Sequence, residues 1–293
     1  MSELVQTFEA HRKYLWGIAY RMLGSAAEAE DIVQEAYLRA RGVENVQVES
    51  PRAYLSSIVT RLCLDYWKSA QVRREHYVGP WLPEPVRTTE DQSEPVDVSS
   101  ISLAFLVLLE SLSPVERAAY LLREVFDYSY LEVAQIVGRD EASCRQIVHR
   151  ASERVVAQRP RFAASPAAHA RMLSEFAGAC ARGDLSALEQ LLADDVHATG
   201  DGGGKVHAAQ RPVQGAAKVA KLYLGIFKRG AQYNPKLSIE SINGQPALVV
   251  RVDGVVRSVI DIETDGTQII SLRAIVNPDK LLALGVTRES SLS

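Results

Sequence analysis

Apolar residues recur at helical spacing through the first half of the chain and at strand spacing through its last third, with a proline- and acid-rich break near residues 79 to 98. Ser25 with Glu28 forms a capping box behind the C-cap glycine Gly24, and the helix it opens carries Ile32, Val33, Ala36, Tyr37 and Ala40 on one face. The opposite face shows Glu28, Asp31, Gln34 and Glu35, with Glu35 four residues before Arg39 as an ordinary surface pair. After Pro51–Leu55, the run SSIVTRLCLDYWKSAQVRRE mixes Tyr66 and Trp67 with Arg61, Lys68, Arg73 and Arg74. Aromatic and basic side chains together suit unstacked single-stranded bases, at roughly 1 to 3 kcal/mol per stacked base. Core packing explains Tyr54, Tyr66 and Trp67 equally well when each is taken alone.

Two further capping signals follow. Ser113, Pro114 and Glu116 open a helix reaching Arg123, and Ser129 with Glu132 opens another whose expected buried face is Leu131, Val133, Ala134, Ile136 and Val137. Gly138 can adopt the left-handed conformation that ends it. Periodicity restarts at Glu141, with Cys144, Ile147, Val148, Ala151 and Val155 on one face and Ala142, Arg145, Gln146, His149 and Glu153 on the other, Arg150 beside them. This is the outline of a helix-turn-helix, whose second helix could bond base edges or phosphates in a major groove about 12 Å wide. Two short helices around a glycine also occur in many bundles, so the segment alone leaves a plain solvated face open.

From Pro166 the pattern changes. Helical periods over 167–181, 184–192 and 215–227 precede strand-like runs broken by Asn243-Gly244, Asp253-Gly254 and Asp265-Gly266, each a hairpin turn signal. Val256, Ser258, Ile260 and Ile262, and Ile270, Leu272, Ala274 and Val276, give each strand one apolar face. The expectation is an α+β cone, three helices against a curved antiparallel sheet that buries that face. The break at 79–98 holds one basic residue against five acidic ones, and Pro83 and Pro85 favour extended backbone. Trp81 and Leu82 are unusual in a solvated linker. They imply docking, with a local cluster on the preceding helices as the simple alternative.

Composition narrows the class. A chain of 293 residues suggests two or three domains. No early apolar run resembles a signal peptide, and the most apolar stretch, Ile101–Leu109, is far short of the roughly 20 residues that cross a bilayer, so a cytoplasmic protein without membrane partners is expected. Cys63, Cys144 and Cys180 have neither disulfide nor metal-ligand spacing, and no metal or cofactor is expected. Residues 1–78 hold ten Lys/Arg against ten Asp/Glu, and residues 99–161 hold eight against eight. DNA affinity comes largely from phosphate neutralisation. A neutral helix-turn-helix therefore needs a dimer partner or a larger machine to place it.

Phe8–Glu75, including AEDIVQEAYLR, resembles region 2 of an extracytoplasmic-function (group IV) sigma-70 family RNA polymerase sigma factor, and Leu112–Val155 resembles region 4. The resemblance implies two all-α sigma domains, a region 2 helical bundle (1–78) and a region 4 helix-turn-helix (99–161, motif 131–150), joined by the linker 79–98. It implies binding of core RNA polymerase through Asp31, Ile32, Val33, Gln34 and Glu35. Contacts to the −10 element would come from Arg61, Asp65, Trp67, Lys68, Arg73 and Arg74, and to the −35 element from Arg139, Ser143, Arg145, Gln146, His149 and Arg150. Arg61 stands where the family often has Asn, which leaves the −10 preference open. Tethering within a holoenzyme accounts for the neutral modules.

Residues 166–293 resemble a SnoaL-like domain of the NTF2 superfamily. Three strings are similar to those of the sigma subgroup carrying such a fusion: Trp81, Leu82, Pro83, Glu84 and Pro85; Asp201, Gly202, Gly203, Gly204 and Lys205; and Asn277, Pro278, Asp279, Lys280 and Leu281. The resemblance implies that these residues form a regulatory contact through which the domain controls sigma activity in cis, in a chain that is monomeric when free. Lys205 is expected to pair with a carboxylate such as Glu84. The expected protein is a promoter-directing factor and not an enzyme. A DNA-targeted fusion stays as the alternative, its cone a small-molecule enzyme or ligand sensor with a ligand in the pocket and Asp201, His197, His207 and Asp261 as acid–base groups. A free-standing repressor is disfavoured by the neutral modules.

Overall fold

The structure is a computed structural model that describes residues 3–42, 50–75, 77–88, 101–158 and 164–285. Backbone contacts gather them into two units. The first contains 3–42, 50–75, 101 and 105–158; the second contains 77–88, 102–104 and 164–285. The linker segment 77–88 thus groups with the C-terminal residues, and the acidic 89–98 lies outside the described residues.

In the first unit, α1 (Glu3–Leu23), α2 (Ala26–Arg41) and α3 (Pro51–Glu75) precede α4 (Leu103–Leu109), which belongs to it from Phe105 on, α5 (Pro114–Tyr120), α6 (Tyr130–Val137) and α7 (Glu141–Gln158). The caps of α5 and α6 follow the sequence reading, while at α2 Ser25 accepts the Glu28 N–H and the Glu28 carboxylate accepts the Tyr66 hydroxyl. Ser113 and Ser129 each complete a reciprocal capping box, and Gly138 ends α6 at φ 69°. Instead of continuing as α-helix to Arg123, α5 passes into a π-helical turn over Leu121–Val125. Leu131 is a second correction: it is 58% exposed, because the buried stripe of α6 is Val133, Ala134 and Ile136 and a residue two positions before Val133 falls off it. On α7 Cys144, Val148, Ala151 and Val155 are buried as expected, but Ile147 is only half-buried and lines the cleft beside Gln146 and Arg150.

The second unit contains α8 (Pro166–Arg182), α9 (Leu185–Leu191), β1 (Leu192–Asp201), β2 (Val213–Gln214), α10 (Ala216–Gly230), β3 (Lys236–Ile242), β4 (Gln245–Val252), β5 (Val255–Thr264), β6 (Ile269–Ile275) and α11 (Pro278–Leu281). The strands form one sheet in the order β2-β1-β6-β5-β4-β3. At Asn243-Gly244 and Asp253-Gly254 both residues have positive φ, the backbone a two-residue hairpin requires. The sheet is mixed and not wholly antiparallel, since β1 lies parallel to β6.

Ile260, Ile262 and Leu272 share a core with Leu173, Phe176, Leu188 and Tyr223, where the Phe176 and Tyr223 rings meet edge to face at 5.1 Å. Burying an aromatic side chain of this kind contributes about 1.5–3 kcal/mol. The single apolar face expected from alternation is only half of the result. Val259, Asp261, Ser271, Arg273 and Ile275, at the intervening positions of β5 and β6, are buried too.

Candidate functional site

The exposed face of α7 begins with a cap the sequence reading missed. Asp140 accepts the Ser143 N–H at 2.8 Å and the Ser143 hydroxyl at 2.6 Å, which fixes the first turn and occupies that hydroxyl. Arg139, Ser143, Gln146 and Arg150 line one cleft of about 340 Å³ with Ser113, Val115 and Glu116 of α5. Arg145 and His149 lie outside it. The Arg145 guanidinium pairs with Glu141 and stacks 4.3 Å from the Tyr130 ring centre, and His149 stands 3.6 Å from Glu153. Carboxylates of the same helix thus lie beside Arg145 and His149 on this face.

On α2, Asp31, Gln34 and Glu35 are exposed, whereas Ile32 and Val33 are buried and support that surface from beneath. Glu35 bonds Arg39 at 3.0 Å. On α3, Asp65 and Lys68 pair with each other at 2.7 Å in solvent. Trp67 is half-buried; its Nε1 donates to the Met22 carbonyl at 3.0 Å and Arg117 lies 5.1 Å over its ring. The side chains of Arg73 and Arg74, at the end of α3, lie outside what the structure describes.

Helices α1 and α3 pack on the later helices through polar contacts that cross a long stretch of sequence. Tyr14 donates to Tyr128 at 3.1 Å, Tyr128 donates to Ser56 at 2.7 Å, and Arg52 donates to Tyr14 at 3.0 Å. Burial, first, and the neighbouring Tyr128 push the Tyr14 hydroxyl pKa up. Arg117 is itself buried, donating to the Leu109 and Met22 carbonyls and pairing with Glu110 at 2.8 Å.

The second site is the dock of the linker on the α+β domain. Asp201, at the end of β1, is fully buried. Its carboxylate accepts from the Tyr77 hydroxyl, from the Leu82 N–H at 2.8 Å and from Lys280 Nζ at 2.7 Å. Its backbone carbonyl accepts the N–H groups of Val276 and Asn277, both at 2.9 Å. Lys280 also donates to the Leu82 carbonyl and sits 4.0 Å from the Trp81 ring centre and 5.2 Å from that of Tyr77. A buried ammonium between one carboxylate, one carbonyl and two aromatic faces is compensated on every side. Burial, first, and the bond to Asp201 push the Tyr77 pKa up.

This geometry explains the three glycines after Asp201. Gly203 and Gly204 have φ of 59° and 71°, which favours glycine outright. A methyl group at Gly202 would overlap the Val206 carbonyl, one at Gly203 would overlap the Asn277 side chain, and one at Gly204 would lie 3.1 Å from Val78. Asn277 caps α11 by accepting the Asp279 N–H and bonds Tyr77 at 2.9 Å. Lys205 does reach a carboxylate, but the partner is Asp279; Glu84 is buried within the linker. Leu82, Pro83 and Pro85 are buried as well, so the apolar linker residues dock on this domain.

A second anchor lies beyond Pro85. Val86 exchanges bonds with Asn243, its N–H to Oδ1 at 2.9 Å and its carbonyl from the Asn243 N–H at 2.8 Å. Thr88 bonds Ser241 at 3.0 Å, and Arg87 reaches Glu240 at 3.1 Å. The chain adds a short bridge to the free edge at β3, a pairing made by main-chain bonds and reinforced by the Asn243, Glu240 and Thr88 side chains. Arg251 and then Ser238, with Arg87, hold the Glu240 carboxyl down at about 2 against the effect of burial.

The pattern of Sigma-70 region 2 matches residues 7–73 and that of Sigma-70, region 4 matches residues 102–155. The chain is 39% identical to the ECF RNA polymerase sigma factor SigJ of Mycobacterium tuberculosis over 94% of its own length and 92% of the relative's. The chain belongs to the ECF sigma factor family. It is also 31% identical to the probable ECF RNA polymerase sigma factor SigI of the same species, over 94% of this chain and 93% of that one. The crystal structure of M. tuberculosis SigJ superposes with a TM-score of 0.75 at 34% identity, covering 95% of this chain and 98% of that chain. As a sigma factor the protein directs transcription initiation, with core RNA polymerase and promoter DNA as partners.

In this sigma factor the four acid–base candidates of the α+β domain do not form one cluster. Asp201 is committed to Lys280 and Tyr77, and Asp261 is buried against Arg273 at 2.7 Å. Burial lifts the Asp261 carboxyl to about 6 against the pull of Arg273. His197 and His207 are exposed. His169, which the sequence reading passed over, is buried with its pKa lowered by burial, and then by Arg273, to about 4. No described helix is long and apolar enough to cross a membrane, and no group of three metal-ligating side chains occurs among the described residues.

Proposed function

We propose that the α+β domain regulates the sigma factor in cis by holding residues 77–88 of the linker that joins regions 2 and 4. The observation that carries this reading is Asp201. Through Leu82 and Lys280 it ties all three strings, 81–85, 201–205 and 277–281, into one buried node. Fixing a linker shortens the chain free to separate the two promoter-reading regions, which changes their effective concentration for each other and for promoter halves. Core polymerase then selects the arrangement it can bind, by a differential affinity of roughly 5 kcal/mol for a near-complete shift.

The assignments at the two promoter-reading faces belong to the same proposal. Asp31, Gln34 and Glu35 form the polymerase-facing surface of α2, Arg61, Asp65, Trp67 and Lys68 the −10 face of α3, and Arg139, Ser143, Arg145, Gln146, His149 and Arg150 the −35 face. The α+β domain acts as a binding module and not as a catalyst, because the acid–base candidates Asp201 and Asp261 are both spent in ion pairs. Promoter-specific run-off transcription with core polymerase tests the reading. The chain ended after Val276, which lacks Asn277, Lys280 and Leu281, should differ from the full chain in promoter output, as should the chain ended after Arg161; equal output from all three contradicts cis control.

A ligand-sensing version has one observation in its favour. A cleft of about 510 Å³ is walled by Val78 and Gly79 of the linker on one side and by Gly202, Gly204, Lys205 and His207 on the other. A small molecule there would touch both partners of the dock and bias it. Saturating full chain with candidate metabolites and following Trp81 fluorescence distinguishes this version from control by polymerase alone.

A further inference from the structure

Arg61 is exposed, yet its guanidinium is committed. Nη2 donates to the Gln135 carbonyl at 2.9 Å and Nε lies 3.4 Å from the Ile136 carbonyl. Both belong to the last turn of α6, where carbonyls lose their intrahelical partners. The chain beyond α6 does not serve them: the N–H groups of Gly138 and Arg139 both go back to Ala134. Arg61 of region 2 is therefore the C-terminal cap of a region 4 helix, and its charge also meets the negative end of that helix.

The surroundings make this cap incompatible with a strand lying along α3. A cleft of about 600 Å³ has one wall from Arg61, Leu64, Trp67 and Lys68 of α3, and the other from Pro114, Val115, Ile136 and Val137 of α5 and α6. Nucleic acid following the basic and aromatic side chains of α3 meets α6 at Arg61. We infer that Arg61 is a latch, closing region 2 onto the helix-turn-helix in the free protein, and that a promoter strand engages α3 only by taking this guanidinium from α6. Opening of the seam and capture of the −10 strand are then one event. The Tyr14–Tyr128–Ser56 contact is the second, neutral part of the same closure. The inference rests on the sigma reading for its consequence in transcription, but the latch itself is a statement about the free chain.

Full-length protein carrying Leu38→Cys on α2 and Val156→Cys on α7, both exposed positions, can be labelled for single-molecule energy transfer, because Cys63, Cys144 and Cys180 are buried. Arg61→Gln removes the charged cap and is expected to raise the ratio of long to short separations about tenfold, the loss of a charge-assisted bond. Arg61→Lys, able to serve one carbonyl, falls between parent and Gln, and Tyr128→Phe gives a smaller shift that multiplies with Arg61→Gln. A single-stranded −10 oligonucleotide should shift the parent in the same direction. If Arg61→Gln leaves the distribution unchanged, or if the oligonucleotide binds the parent without changing it, the latch is wrong. Run-off transcription is scored separately: its absence counts against the sigma reading and leaves the distance result standing.

Discussion

At the linker dock, Asp201, Lys280, Leu82 and Asn277 are buried with their partners, and each charge faces its opposite within 2.7 Å. Across the seam between regions 2 and 4, the contacts include hydroxyl to hydroxyl, guanidinium to backbone carbonyl and guanidinium over aromatic ring. Their separation leaves mostly groups that water can satisfy. Of the buried cations there, Arg117 keeps Glu110 and the Leu109 carbonyl when Met22 leaves, and Arg21 keeps the Gly17 carbonyl when Phe126 leaves. The two interfaces therefore differ in what rupture costs. Opening the dock strands a charge in a low-dielectric site, whereas opening the seam exchanges protein bonds for water bonds at about 0.5–1.5 kcal/mol each. The linker behaves as part of the α+β domain, and the seam is where this sigma factor opens.

The largest effect expected from this contrast is at Asp201. Asp201→Ala leaves Lys280 buried beside two rings without its carboxylate and orphans the Leu82 N–H, so the α+β domain with its linker should lose about 3–5 kcal/mol. Urea unfolding followed by Trp81, with Trp16 and Trp67 replaced by Phe, measures it. A loss below about 1 kcal/mol would mean that the node is wet and the contrast with the seam is false.

Acid separates the interfaces next. The folded pKa of His169 is lowered from 6.5 to about 4, so its contribution is present above 6.5 and lost as pH falls to about 4. Asp261 runs the other way: its folded pKa is raised from 3.8 to about 6, so stability is gained over nearly the same interval as the buried carboxylate takes up its proton. The two largely offset each other, and the domain should be nearly flat from pH 6.5 to 4. Below that, Glu240, lowered from 4.5 to about 2, loses its contribution as pH falls through that window, and with it the Arg87 contact; the size is on the order of 1 kcal/mol because Glu240 is only partly buried. The Tyr14, Tyr128, Ser56 and Arg61 contacts are made by hydroxyls, a guanidinium and backbone carbonyls, with no carboxylate or imidazole among them. Urea midpoints for Trp81 should fall below pH 4.5 while the distances between α2 and α7 stay constant down to pH 4; a seam that opens between pH 6 and 4 would reverse the assignment.

The helix-turn-helix was readable because its information is local. Ser113, Ser129 and Gly138 sit within a few residues of the backbone groups they satisfy, and the hairpins at 243–244 and 253–254 are set by the φ of two residues. The sheet between β1 and β6 was not readable in the same way. LADDVHATGD has no clean alternation, its burial is irregular, and its partner lies some seventy residues on in a parallel pairing with a register shift. The dock was legible only as strings. Nothing in their chemistry announced that Tyr77, outside all three, completes the cage, or that Asp201 and Lys280 would be each other's counter-ions across 79 positions. The α6 contact of Arg61 was not legible either, because charge on α3 carries no mark of the helix it caps.

The smallest expected effect sharpens which part of the 201–205 string matters. Lys205 pairs with Asp279, but both side chains are more than half exposed. An exposed pair contributes about 0.2–1 kcal/mol and is screened by salt. Lys205→Ala should therefore change the unfolding free energy read from Trp81 in urea by no more than about 0.5 kcal/mol, and by less at high salt. Gly203, two positions earlier, has no charge but faces Asn277 and Tyr77 at close approach with positive φ, so Gly203→Ala should cost several times more. If the order is reversed, the dock is held by surface charge after all, and it would be as easily exchanged for water as the seam.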